Sequence, residues 1–186
     1  LTRLKLQLAL LKQQDLAKKM GGDIEEMERM LNEYLEFSRH QKNEENEKVN
    51  LNEIIKDVVK KYENKEIDIS VEENLEINIR PNSIKRCLAN LVDNGLSYGE
   101  KVKILVKKTL NKVIIFVDDD GPGIPEKEYY NVMKPFYRID KSRGQNQSGV
   151  GLGLSIANDI IHSHGGNISL EKSPLSGLRV KISLPL

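Results

Sequence analysis

Three glycines stand at alternate positions, Gly149, Gly151 and Gly153, directly before the apolar helical pattern that begins at Ser155. Near a helix start, each glycine costs roughly 0.5–1 kcal/mol of backbone order relative to alanine. A chain that keeps three of them needs its backbone to approach a ligand closely. At a helix N-terminus that ligand is usually an anion, because the unpaired amides and the helix dipole both favour negative charge. The segment therefore predicts an anion-binding turn.

Two asparagines, Asn90 and Asn94, are one helical turn apart and therefore lie on the same face of a predicted helix. An amide oxygen can ligate Mg²⁺, a hard cation that prefers oxygen and often bridges protein and nucleotide phosphates. Two asparagines on a helix are also common as solvated surface residues, so the pair indicates a metal site only in combination with other motifs.

Two further segments could contact a nucleotide. Residues 119–123 (DDGPG) end an apolar strand pattern, where a carboxylate could accept the exocyclic amine of an adenine while the glycines let the chain turn tightly. Residues 134–138 (KPFYR) offer a basic group for a phosphate and an aromatic ring to anchor a loop. An acidic turn and an ordinary surface loop are the plainer interpretations of these two segments.

The composition limits the possible classes of function. The 186 residues carry a formal charge of +1, so neither a nucleic-acid footprint nor an acidic tail is evident. The single cysteine, Cys87, excludes an internal disulfide and suits a reducing compartment. The longest apolar run, 113–117, is far shorter than the roughly 20 residues that span a bilayer. With no signal peptide and a first residue other than Met, the sequence is expected to be a fragment of a longer protein.

Residues 46–186 have the pattern of an α+β domain. Helical spacing predicts helices at 51–62, 82–97 and 155–164, and β-rich segments predict strands at 66–71, 76–79, 102–109, 113–119, 167–173 and 178–186. An antiparallel or mixed sheet with helices on one face, a two-layer α/β sandwich, is expected. Residues 40–50 are predicted as a linker or frayed helix end. The long polar segment 121–149 is predicted as a lid.

Residues 1–45 are predicted as a separate helical hairpin. Leucines at positions 1, 4, 8 and 11 repeat at helical spacing, and a second pattern follows at 27, 31 and 34. Two such hairpins would bury their stripes as a dimeric four-helix bundle. The turn lies either at Gly21-Gly22, as a C-cap followed by a capping box, or near 13–15, since helical spacing continues through the glycines.

In this order, the four motifs resemble those of the catalytic and ATP-binding domain of sensor histidine kinases in the GHKL superfamily. RCLANLVDNGLSYG is similar to the N box, VDDDGPGIP to the G1 box, MKPFYRID to the F box and SGVGLGLS to the G2 box. The resemblance covers nearly the whole chain, including the N-terminal helices, and is nearest to osmosensor kinases of the EnvZ type. It implies a Bergerat-type fold that binds ATP and Mg²⁺.

The resemblance also implies a role for each matched residue. Asn94 would hold Mg²⁺ with support from Asn90, and both would serve the transfer reaction together with Arg138, which would approach the phosphates. Tyr98 would pack beside the adenine, and Asp119 would accept its amine. The remaining implied cofactor-binding residues are Gly121, Gly123, Gly149, Gly151, Leu152 and Gly153.

Three positions depart from the family pattern. Ser97 stands where a basic residue often precedes the N-box tyrosine, so one phosphate contact is expected to be missing. Met133 replaces the first F-box aromatic and should still pack. The last glycine motif, usually Gly-x-Thr or Gly-x-Ser, reads Gly177-Leu178-Arg179.

The acceptor histidine of the resembled family is expected just upstream of this sequence, since LTRLKL is similar to the segment after the H box. None of His40, His162 and His164 is expected to replace it, so the chain should bind ATP without labelling itself. The resemblance further implies a homodimer through the N-terminal helices and a response-regulator receiver domain as partner. It also implies a parent protein anchored in the inner membrane by segments outside this sequence.

Three other functions remain open. The chaperone, mismatch-repair and topoisomerase ATPases of the superfamily carry a glutamate that activates water where this chain has Asn90, and the amide disfavours hydrolysis. Anti-sigma serine kinases lack the leucine-striped hairpin at 1–38. A dimerisation module that only binds nucleotide would be separated from a kinase by parallel nucleotide-binding and phosphotransfer assays.

Overall fold

The computed structural model describes residues 20–22, 24, 25, 27, 28, 31, 44–62, 64–71, 75–139 and 151–186. The chain divides into two compact units, Leu1–Asn43 and Glu44–Leu186. All described residues of the first unit are helical, including Gly21 and Gly22, and Ile24 is buried. The alternative in which a helix ends at these two glycines is therefore wrong. The other turn position, the leucine stripe and the hairpin partner lie outside the described residues.

The second unit is an α+β sandwich of two layers, as the sequence predicted. Its strands are β1 (Glu47–Asn50), β2 (Glu66–Ser70), β3 (Glu76–Ile79), β4 (Lys101–Lys108), β5 (Lys112–Asp119), β6 (Asn167–Lys172) and β7 (Leu178–Pro185). Its helices are α1 (Leu51–Val59), α2 (Pro81–Tyr98), α3 (Tyr129–Val132) and α4 (Gly153–Ser163), with short 3₁₀ helices at Lys60–Tyr62 and Glu126–Glu128.

The main sheet is mixed and has the strand order β2-β4-β5-β7-β6. Only the β2–β4 pair is parallel, whereas β4, β5, β7 and β6 pair in antiparallel fashion with their neighbours. Residues of alternate positions are buried along the central strands, for example Val102, Ile104 and Val106 of β4. This period of two places one face of the sheet under α2 and α4 and leaves polar side chains on the other.

Helices α2 and α4 pack side by side over the sheet. Cys87 of α2 is fully buried, and its Sγ lies 3.9 Å from the Ala157 carbonyl oxygen of α4. Burial raises the pKa of the Cys87 thiol to about 12, so this cysteine remains a protonated core residue at neutral pH.

The N-terminus of α2 is capped by a residue distant in sequence. Pro81 is the first helical residue, and Arg80 in the cap position gives no side-chain cap. Instead, Glu44 Oε1 accepts from Asn82 N at 2.6 Å, and Oε2 accepts from Ser83 N at 3.0 Å and Ser83 Oγ at 2.6 Å. A carboxylate at this end also complements the helix dipole.

The C-terminus of α4 lies against the same end of α2. His164 Nε2 accepts from Arg80 N at 3.1 Å and from Arg80 Nε at 3.3 Å. The His164 Nδ1–H donates to the Ile160 carbonyl oxygen at 2.7 Å, which fixes the neutral tautomer. Burial lowers the pKa of His164, and the nearby Arg80 charge lowers it further, while the backbone hydrogen bond and Glu44 oppose the shift.

The sequence-based positions of the helices and strands are confirmed to within about two residues, with two differences. Residues 47–50, predicted as part of a linker, form strand β1, which pairs antiparallel with β3 from Glu47↔Ile79 to Asn50↔Glu76. Residues 126–132, predicted within a polar lid, are helical, and Val132 is buried. No helix in the described part of the chain is long and apolar enough to cross a membrane.

Candidate nucleotide-binding site

Three consecutive aspartates at the end of β5 have three different sets of partners. The Asp118 carboxylate faces the outer side of the sheet and pairs with Arg179. The next carboxylate, Asp119, faces inward and accepts backbone amides. Asp120 Oδ1 accepts from Glu100 N at 2.8 Å and Lys101 N at 2.9 Å, and these bonds lower the pKa of Asp120. Of the three aspartates, only Asp119 faces α2.

Asp119 is buried, with 7% of its surface exposed. Its Oδ1 accepts from Gly121 N at 2.9 Å and from Leu178 N at 3.0 Å. Burial raises the pKa of the Asp119 carboxyl, against the two amide bonds, which lower it. Oδ2 accepts no hydrogen bond from any residue in the described ranges. One oxygen is thus fixed by the backbone, and the other has no donor among the described residues.

Two glycines make room for this carboxylate. A Cβ on Gly95 of α2 would lie 2.8 Å from Val102 Cγ2 and 4.0 Å from Asp119 Oδ2. A Cβ on Gly177, just before β7, would overlap Asp119 Oδ1 and lie 2.6 Å from Gly121 N. Contacts this short do not occur for real side chains, so both positions require glycine. The N-box helix and the two strand ends therefore meet at Asp119.

Asn90 and Asn94 are both half-buried on α2. The Asn90 Nδ2 atom is buried and has no hydrogen-bond partner among the described residues. The start of α4 approaches this side chain, since a Cβ on Gly153 would lie 3.8 Å from Asn90 Cβ. A buried amide without a partner is costly, and a ligand that supplies the missing acceptor would relieve the cost.

The F-box and G2-box segments are joined by their backbones. Gly151 has φ +77°, and a Cβ there would lie 3.0 Å from the Tyr137 carbonyl oxygen and 3.3 Å from Arg138 Cγ. Phe136 N donates to the Gly151 carbonyl oxygen at 3.0 Å. Phe136 itself has φ 64° although it is not glycine, and its side chain is half-exposed. A strained aromatic residue is thus held beside the glycine-rich turn.

The two basic residues of the F box differ in their partners. Lys134 Nζ donates to Asn131 Oδ1 at 2.9 Å and lies 4.4 Å from the Tyr130 ring centroid, so it is held within its own turn. Arg138 makes no ion pair with any residue that the structure describes. The turn is stabilised further by Tyr137, whose hydroxyl donates to Glu128 Oε2 at 2.7 Å.

The remaining predicted residues lie around this arrangement. Gly121 and Gly123 follow Asp119, and Gly123 has φ +70° with the Gly177 carbonyl oxygen 3.3 Å from its Cβ position. Leu152 is buried directly before α4. Tyr98 is 48% exposed, and its carbonyl oxygen lies 3.0 Å from the Cβ position of Gly121. Gly149 lies outside the described residues.

Sequence reasoning missed several residues that shape the site. Gly95 and Gly177 were not predicted as contacts of Asp119, although the glycine after the N-box asparagine and the departure at Gly177-Leu178-Arg179 were the available signals. The Asp118–Arg179 pair required knowledge of strand register. Within the described ranges, no group of three or more His, Cys, Asp or Glu residues could hold a metal ion.

Comparisons with known proteins agree with this arrangement. Residues 79–186, more than half of the chain, match the family "Histidine kinase-, DNA gyrase B-, and HSP90-like ATPase". The chain is 36% identical over 187 residues to the sensor histidine kinase GtrS of Pseudomonas aeruginosa, covering 100% of this chain and 39% of GtrS. It is 32% identical over 206 residues to the sensor histidine kinase CpxA of Escherichia coli, covering 100% of this chain and 44% of CpxA.

A solved structure supports the same assignment. The NMR structure of the histidine kinase domain of the E. coli osmosensor EnvZ is 33% identical, with a TM-score of 0.59, covering 75% of this chain and 88% of that chain. The chain spans less than half the length of the two curated relatives. The resemblance stated from the four motifs is confirmed: this chain belongs to the histidine kinase-, DNA gyrase B- and HSP90-like ATPase family, and its catalytic domain is of the sensor histidine kinase kind.

Proposed function

We propose that this chain is the catalytic part of a sensor histidine kinase, which binds Mg-ATP and transfers the γ-phosphoryl group to a histidine. The observation that carries the proposal is the buried Asp119 carboxylate, with Oδ1 held by Gly121 N and Leu178 N and with Oδ2 left for a donor. An exocyclic amine is such a donor. Adenine has one at its 6-position, whereas guanine presents a carbonyl oxygen there.

Base selection follows from this pairing. A guanine placed like adenine would oppose its 6-carbonyl oxygen to Asp119 Oδ2, leaving two acceptors without a hydrogen. Each unsatisfied buried partner costs roughly 1–3 kcal/mol, so the site should select adenine strongly. Tyr98, half-exposed at the end of α2, is proposed as the ring that packs beside the base.

The opposite end of the site suits a triphosphate and Mg²⁺. We assign Asn94 as the Mg²⁺ ligand, with Asn90 supporting it through its unpaired buried amide. When bound, Mg²⁺ would neutralise phosphate charge during transfer. Arg138, with no ion-pair partner in the described chain, and the turn of Gly149, Gly151 and Gly153 before α4 would bind the phosphate oxygens.

Transfer is favoured over hydrolysis by the side chain at position 90. The superfamily ATPases use a glutamate there as the base that activates water, and Asn90 cannot accept a proton at neutral pH. The work left to the protein is positioning of the nucleotide and neutralisation of its charge, which is sufficient for transfer to a strong nucleophile such as imidazole.

The acceptor is proposed to be a histidine of a helical hairpin, in a dimer formed through the N-terminal helices. A response-regulator receiver domain would then take the phosphoryl group, and the parent protein would be anchored in the inner membrane with this part in the cytoplasm. Of the two described histidines, His164 is a poor acceptor, because both of its ring nitrogens are hydrogen-bonded.

Two measurements test the proposal. Calorimetry with ATP and GTP should give an affinity for ATP that is at least about tenfold higher, from one unsatisfied pair. Incubation with γ-labelled ATP should leave the 186-residue chain unlabelled and should label a separate hairpin of the same parent that carries a histidine. Equal affinities for ATP and GTP would remove Asp119 from the base site. Acid-labile label on the chain alone would make one of its own histidines an acceptor.

A further inference from the structure

The outer face of the sheet carries an ion pair directly behind the proposed base site. Arg179 Nε donates to Asp118 Oδ1 at 2.6 Å, and Arg179 Nη2 donates to Asp118 Oδ2 at 2.8 Å. The Asp118 side chain is 1% exposed and that of Arg179 is 22% exposed. The guanidinium also lies 4.6 Å from the Phe116 ring centroid. Two parallel bonds and a stacked ring give this pair one geometry.

The position of the pair in the sheet links it to Asp119. Asp118 and Arg179 are the last partners of the β5–β7 ladder. The next residue outward on β5 is Asp119, and the neighbouring residue on β7 is Leu178, whose amide donates to Asp119 Oδ1 at 3.0 Å. A shift of β7 along β5 would therefore break the bond that decides which Asp119 oxygen is left free.

The tolerance for such a shift is small. The Cβ position of Gly177 lies 2.5 Å from the Asp119 carbonyl oxygen and 2.6 Å from Gly121 N. On the other side, Asp120 is tied to the amides of Glu100 and Lys101. The Asp119 carboxylate thus lies between Asp118 and Asp120, and each of these two neighbours accepts two hydrogen bonds.

We infer that the Asp118–Arg179 pair is a positioning and specificity element, which holds Leu178 N on Asp119 Oδ1 so that Oδ2 is presented to the adenine amine. The inference rests on the proposed function of the site. A buried ion pair contributes little net stability compared with an apolar pair of similar size, because both charges lose their hydration. The pair is therefore better explained by its position, since it fixes the register of β5 and β7 at the last paired residues before Asp119.

The test compares two matched double variants. Asp118→Leu with Arg179→Leu removes the two parallel hydrogen bonds without leaving a buried charge. The new leucine side chains can pack beside the apolar ring of Phe116. Lys48→Leu with Glu76→Leu removes an exposed cross-strand ion pair between β1 and β3, whose Nζ and Oε2 atoms are 2.6 Å apart. The ratio of ATP to GTP affinity, measured by calorimetry, should fall about tenfold in the first and stay within about twofold in the second, with both folded by circular dichroism.

A conservative variant gives a second measurement if the first protein does not fold. Arg179→Lys keeps the charge but loses the fork, so hydrogen exchange of the Leu178 amide without nucleotide should become faster while the rest of β7 is unchanged. An unchanged affinity ratio in the folded double variant, or an unchanged Leu178 exchange rate in Arg179→Lys, would overturn this inference but not the proposed base site. A wild-type protein that does not prefer ATP would overturn the proposed base site, and this inference with it.

Discussion

The carboxylate of Asp119 and the amide of Asn90 stand at the two ends of the proposed nucleotide site, and the folded chain provides for them differently. Asp119 Oδ1 has two backbone donors, its neighbour Asp118 pairs with Arg179, and Asp120 Oδ1 accepts from two backbone amides. Asn90 Nδ2 is buried without a partner among the described residues. The base end is therefore held largely by backbone bonds before any nucleotide arrives, with Asp119 Oδ2 left for the base, whereas the buried Asn90 amide at the phosphate end has no partner in the described part of the chain.

This difference suggests separate roles for the two ends, with choice of the nucleotide base at one and phosphoryl transfer at the other. In the proposed site, selection of the base would depend on atoms fixed by strand pairing and by glycines that leave no spare room. Binding of the phosphates would depend on side chains such as Arg138, for which the described residues provide no ion pair. Preorganised groups lose little entropy on binding, while unsatisfied groups gain most from it. Changes at the base end should alter which nucleotide binds, and changes at the phosphate end should alter what the bound nucleotide does.

The largest effect is expected from Asn94→Ala at the phosphate end. Loss of the proposed Mg²⁺ ligand should slow phosphoryl transfer by about 100-fold or more, since metal charge neutralisation is worth several kcal/mol. Binding of ADP without Mg²⁺ should change little. Rates of transfer from γ-labelled ATP to the separate hairpin measure the effect, with Asn111→Ala in the exposed β4–β5 turn as the control. Transfer at the wild-type rate would exclude Asn94 as the metal ligand.

Asp119→Asn should have the next largest effect, at the base end. The substitution can turn an amide NH₂ toward the adenine amine and places a weaker acceptor on the Leu178 and Gly121 amides. ATP affinity should fall by about 30- to 100-fold, equivalent to roughly 2–3 kcal/mol, and the preference over GTP should disappear. Calorimetry measures both, and Asp57→Asn on the surface of α1 serves as the control. Retained preference for ATP would place base selection elsewhere.

A pair of glycine substitutions compares the two ends directly. Gly177→Ala should lower the free energy of unfolding by roughly 1–3 kcal/mol, because the new Cβ overlaps Asp119 and Gly121. Gly153→Ala should leave it unchanged or raise it by up to about 1 kcal/mol, because its Cβ would meet Asn90 only at 3.7–3.8 Å on a helix. Urea titrations of both variants give the two values. Equal losses of stability would mean that the two ends are packed alike.

The smallest effect is expected at His164, away from both ends. Its lowered pKa means that the folded state disfavours protonation, so stability is full above the unfolded value of 6.5 and is lost as the pH falls below it. The slope cannot exceed about 1.4 kcal/mol per pH unit for one proton. His164→Gln, which can still accept from Arg80, should flatten this dependence in urea titrations without changing the ATP-to-GTP ratio. A changed ratio would connect this cluster to the base site.

Much of the fold and the outline of the site could be predicted from the sequence. Alternation in residues 102–119 and the helical spacing of 82–97 determine α2, β4 and β5, and those elements alone bring Gly95 of α2 against Asp119 of β5. The motifs carry the residues that are proposed to act through their own chemistry. Such residues can be proposed from a sequence because the type of side chain and its spacing already suggest a role.

The residues that were missed act only through pairing between distant segments. Strand β1 has four residues and no clear alternation, and it is defined by its pairing with β3. Gly95 and Gly177 matter because of the groups that lie opposite them, and the Asp118–Arg179 bond depends on the β5–β7 register. Local pattern contains none of this information, since register is set by the whole sheet.

The capping carboxylate of Glu44 affects where a truncated fragment of this protein can begin. It is the first residue of the second unit, and it closes the N-terminal end of the helix that carries both asparagines. A fragment beginning just after this residue would keep every sheet strand, yet its N-box helix would start uncapped, at a loss of about 1 kcal/mol. Such a fragment would report a weakened nucleotide site.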